Sequence, residues 1–142
     1  MKLIISYLAL FVSITAFAGT PGSPEGDDGE FFMNSYLEIV NKEKDAFYKC
    51  EIVDQDELGY HVKAYFLTGE LKMEGTFTDK DLELKEGQFT YYYQNGQVES
   101  AGEYREGAKF GLWKRFDFEG NEKPEKIYAT LQTLKAIETF NK

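Results

Sequence analysis

YYYQNGQVESAGEYREGAKFGLWKRFDFEG, residues 91–120, decides how the rest of the chain is read. Aromatic and β-branched residues alternate with polar ones, and glycines break the run at short intervals. That is the pattern of strands and hairpins. Asn95-Gly96 predicts a type I′ hairpin turn, because both positions tolerate positive φ. In a strand, Tyr91 and Tyr93 point to one side and Tyr92 to the other, with Phe89 on the Tyr91 side.

Working outward, the same pattern recurs. Gly69, Gly96 and Gly120 align, with Tyr65, Tyr92 and Phe116 each four positions before them. Leu71 and Val98 follow, then Gly75 and Gly102, then Phe77 and Tyr104. Gly87 and Gly111 close the units, and Phe89 and Trp113 stand two residues beyond them. Self-similarity of this kind marks a repeat architecture. A lone hairpin is only marginally stable, so units must stack. The expected fold class is mainly β: a meandering antiparallel sheet of stacked hairpins over residues 46–122. The strands begin at Phe47–Val53 and Tyr60–Leu67, with a turn over Asp54–Gly59. A C-terminal α-helix over residues 123–142 is expected to cap the sheet. Pro124 opens it, and Ile127, Leu131, Leu134 and Ile137 form its apolar stripe, with Thr130 as the polar interruption.

This unit resembles the bacterial, antitoxin-like variant of the MORN repeat. The matching positions are Tyr92, Asn95, Gly96, Gly102, Tyr104, Gly107, Gly111, Trp113, Phe116 and Gly120. The segment upstream, from Asp45 through Phe77, is similar to the lead-in of such repeats in bacterial envelope proteins. The resemblance covers about residues 46–122. It implies a scaffold or interaction surface rather than a catalyst.

The amino-terminal stretch MKLIISYLALFVSITAFAG carries Lys2, an apolar run, and the small–x–small triplet Ala16-Phe17-Ala18. This predicts a signal peptide over residues 1–18 and a periplasmic or secreted protein. The run is short for a membrane span, which needs about 20 residues. Residues 19–45 read as a flexible acidic leader, with a short helix over Phe31–Val40. Its apolar residues at Phe32, Met33, Tyr36, Leu37 and Val40 have helical spacing.

Formal charge is −9, and loss of Lys2 with the signal peptide makes it one unit more negative. Such a chain repels phosphate backbones, so nucleic acid is not an expected partner. Cys50 is the only cysteine and reads as a small buried hydrophobe. His61 is the only histidine and has no nucleophile motif beside it. One His and one Cys give zinc no usual ligand set. Asp79, Asp81 and Glu83 alternate along a charged connection, the oxygen chemistry that calcium takes. Lys80 and Lys85 dilute that charge, and a solvated loop is the preferred reading. No catalytic residue, metal site or cofactor is therefore expected.

The candidate binding residues are aromatic: Phe89, Tyr91, Tyr93 and Trp113. They would dock a protein or envelope-glycan partner on one sheet face. The competing reading makes them core. A secreted immunity-type protein that binds a toxin is the alternative function, and an acid-catalysed glycan hydrolase the more remote one.

Overall fold

The computed structural model describes residues 30–129 and Thr139. The signal peptide, residues 19–29 of the leader and the residues of the expected helix beyond Ala129, save Thr139, lie outside that range. Nine strands form one open antiparallel sheet: β1 (Glu30–Met33), β2 (Ile39–Val40), β3 (Tyr48–Asp56), β4 (Gly59–Phe66), β5 (Leu71–Phe77), β6 (Lys85–Tyr92), β7 (Val98–Arg105), β8 (Ala108–Phe116) and β9 (Glu122–Tyr128). From β3 to β9 each strand pairs with the next in sequence, and β1 lies between β2 and β3. None of the described helical elements is long and apolar enough to cross a membrane.

The sheet begins earlier than expected. Phe31–Val40 is not a helix but a hairpin, β1 and β2. Period two wins over helical spacing there, because Phe31 and Met33 both reach the core against β3. Asn34 makes the turn: its side-chain carbonyl accepts hydrogen bonds from the Tyr36 and Glu38 amides. Tyr36, counted on the helical stripe, is 81% exposed at the tip. Asp54–Asp56 is likewise strand, and the turn shrinks to Glu57-Leu58.

The other end is corrected too. Residues 122–128 are β9, paired antiparallel with β8. Pro124 thus starts no helix and sits in the outermost described strand, where a missing N–H costs little. Ile127, assigned to the apolar stripe, is 76% exposed on that strand.

The turns at Gly69, Gly96 and Gly120 share one bonding pattern. The amides of Phe66, Tyr93 and Asp117 donate to the carbonyls of Glu70, Gln97 and Asn121, and each glycine amide donates back. Only the glycine has positive φ. Asn95-Gly96 is therefore a three-residue loop with a left-handed closing glycine, not a type I′ turn. The type I′ geometry falls instead at Glu106-Gly107, where φ is 50° and 79°.

One sheet face is the core. Its largest fully buried side chains are Trp113, Phe77, Phe89, Met33 and Met73. The packing rests on a device that occurs twice. Between β5 and β6, Gly75 stands opposite the bulged stretch Gly87–Phe89, and between β7 and β8, Gly102 stands opposite Gly111–Trp113. The added residues tip Phe89 onto Gly75 and Trp113 onto Gly102, where any Cβ would overlap the ring. Leu37 and Leu82 both have positive φ, in the β1–β2 and β5–β6 connections. Leu82 belongs to the core cluster and Leu37 packs against it.

Candidate functional site

The aromatic candidates do not form a docking face. Phe89 is 0% exposed, Tyr91 8% and Trp113 1%. Tyr104 packs edge-on to Phe89 at 4.9 Å and to Trp113 at 5.2 Å. The hydroxyls of Tyr91 and Tyr104 meet at 3.1 Å, and the Trp113 indole N–H donates to the Glu103 carbonyl. Burial, reinforced by the Tyr104 contact, pushes the Tyr91 phenol far above its ordinary range. These groups hold the sheet together. Only Tyr93 reaches the surface, in contact with Phe118 at 5.4 Å, with its hydroxyl donating to the Phe116 carbonyl.

Tyr93 and Trp113 nevertheless contribute to a cleft of about 360 Å³ at the β7–β8–β9 end of the sheet. The other lining residues decide its chemistry: Lys109, Arg115, Lys123 and Lys126, with Glu99, Ser100, Phe116 and Tyr128. Strand pairing brings the cations together, because Arg115 faces Lys123 and Trp113 faces Lys126. Lys109 lies on β8 two residues before Gly111, which faces Tyr128. The core face thus changes character across the sheet, from apolar rings to a rim of amines and one guanidinium.

None of these four cations is in an ion pair among the described residues. The one carboxylate in the lining, Glu99, is held by Lys72 from β5. The ammonium of Lys109 lies 4.0 Å from the Trp113 ring centroid and 5.5 Å from that of Tyr128. Lys126 lies 5.0 Å from the Tyr128 ring. Ring faces orient both amines without neutralising them. In a chain of formal charge −9, a cleft lined by four cations, of which Lys123 acts on the Asp117 carboxylate, is a local excess of positive charge. Screening lengths of about 8–10 Å at ordinary salt keep remote carboxylates from cancelling it.

Sequence reasoning passed over these cations because it counted charge over the whole chain. The readable signal was the period-two run Lys109, Gly111, Trp113, Arg115, followed by Lys123-Pro-Glu-Lys126. It carried weight only with residues 122–128 read as strand.

A larger cleft, about 830 Å³, lies between the β1–β2 turn and the β5–β6 connection. Its charges are mixed, Lys80 and Lys85 with Glu38, Asp81 and Glu83. Leu82 packs from it into the core, so it makes no one-signed demand on a ligand. Asp79, in the same connection, is occupied: its carboxylate accepts from the Glu83 and Leu84 amides. Among the described residues no three acidic, His or Cys side chains converge to hold a metal. His61 bridges Asp56 at 3.0 Å and Thr76 at 2.9 Å. Its hydrogen bond, with the Leu58 amide, lowers the Asp56 carboxyl below its usual range. Compared with protein-family models, with curated proteins and with solved structures, the chain matches none.

Proposed function

We propose that the chain is an exported, non-enzymatic, MORN-like interaction module that holds a protein or envelope-glycan partner at the basic cleft. One observation carries the placement: four cations line one cleft, none of them in an ion pair among the described residues, in an otherwise acidic chain. Leaving like charges together costs stability unless a ligand neutralises them. Export rests on the signal-like residues 1–18, and the module reading rests on the glycine–aromatic units of residues 65–120.

The test is a crosslinked pull-down of the tagged protein from its own host. It compares the unaltered chain with a Lys123→Glu, Lys126→Glu variant. The partner recovered with the unaltered chain should be lost with the variant. An identical set of partners from both would remove the cleft from the function. Intact mass of the host protein should begin at Gly19, and a chain retaining Met1 would overturn the export reading.

A further inference from the structure

Resting on that docking reading, we infer that the ligand at the basic cleft is an acidic saccharide, a sugar carrying carboxylate or phosphate groups. The lining is one-sided in hydrogen bonding as well as in charge. Lys109, Arg115, Lys123 and Lys126 offer only donors. The strongest acceptor, the Glu99 carboxylate, is engaged by Lys72. A ligand rich in acceptors satisfies such a site, and carboxylate or phosphate groups supply acceptor oxygens that carry no hydrogen of their own, while the hydroxyls of Ser100 and Tyr128 can answer sugar O–H groups.

Size points the same way. Ligand pockets run from about 300 to about 1,000 Å³. A cleft of about 360 Å³ is at the small end and suits one or two ring units better than a helix or a folded surface. The planar guanidinium of Arg115 matches a carboxylate or phosphate edge with two parallel bonds. Tyr93 and Tyr128 supply flat aromatic edges and, at Tyr128, a hydroxyl for sugar oxygens. Four cations and a single engaged carboxylate favour a ligand with more than one anionic group.

Calorimetric titration of the protein purified from its host tests this with four probes. Trigalacturonate and glucose 1,6-bisphosphate present carboxylate and phosphate on sugar rings. Maltotriose has the rings without charge, and hexaglutamate has the charge without rings. At least one acidic sugar should bind, with affinity falling as salt rises, while maltotriose should give no heat. Which acidic sugar binds more tightly identifies the anion. Lys126→Glu and Arg115→Gln, both exposed side chains, should weaken that binding by about tenfold or more with an unchanged melting curve. Arg115→Lys should recover part of it.

Binding of hexaglutamate alone, lost in the same variants, would overturn the saccharide class and leave the docking reading standing. Equal binding of maltotriose and trigalacturonate would overturn the acidic requirement. Failure of every probe, with partner capture still lost in the charge-reversed variant, would sink the saccharide inference by itself. Failure of both experiments would sink the cleft.

Discussion

At the scale of single residues, Gly75 and Gly102 matter through what they lack. Each lies under an aromatic ring from the next strand, with no room for a Cβ. Gly102→Ala must push Trp113 out of its place between Tyr91, Tyr104 and Tyr128. Overpacking of this kind costs about 1–3 kcal/mol, and truncating the ring itself, Trp113→Ala, about 3–5 kcal/mol. In the double variant the clash disappears with the ring. Adding Gly102→Ala to Trp113→Ala should therefore cost much less than Gly102→Ala alone, as urea unfolding of the four proteins would measure. Equal costs in both backgrounds would show that the glycine serves the backbone and not the ring. The pairing of these glycines with an aromatic further on was legible in the sequence as a repeat. The ring that lies on each glycine was not: Gly87 and Gly111, at positive φ, mark the bulges that tip Phe89 and Trp113 over, but which glycine each ring covers is set by strand pairing.

Among the elements, β9 shows where reading from the sequence failed and why. A stripe at Ile127, Leu131, Leu134 and Ile137 has helical period, and Pro124 is a good first residue for a helix. Neither signal records that β8 has a free edge beside it. Backbone donors and acceptors on β8 are satisfied by pairing, and that demand carries residues 122–128 into the sheet. The opposite failure occurred at β1, where the short buried pair Phe31 and Met33 outweighed a helical pattern. Both outer strands have features that discourage further pairing. β2 is only two residues long, and β9 carries Lys123, Pro124 and Lys126. A Pro124→Thr, Lys126→Val variant should associate at concentrations where the unaltered protein does not, detectable by sedimentation. If it stays in the same state, the cations of β9 have no part in edge protection and ligand binding alone accounts for them.

Taken whole, the molecule keeps its protons unusually well at high pH. Burial and hydrogen bonding to Glu51 and Glu74 raise Tyr65 and Tyr92 from 10.0 to about 12, and burial raises Cys50 from 9.0 to about 12. Unfolded, the same groups ionise two or three pH steps earlier. The contribution is intact below about pH 9 and disappears as pH rises to about 12, because the unfolded chain then holds fewer protons. Lys85 works the other way, since burial and the nearby Lys109 lower its pKa from 10.5, but it is one group against several. The urea midpoint should fall across that window. A midpoint that is the same at about pH 9 and at about pH 12 would contradict it. The linear strand order has a further consequence, a mechanical one. The described chain enters at β1 and leaves at β9, toward opposite ends of an open sheet whose strands are tied mainly to their neighbours. Tension applied through Glu30 and Ala129 would pull across the strands and along their hydrogen bonds, loading one pairing at a time. Such a sheet should yield in small steps at low force, a tether that lengthens under load instead of snapping.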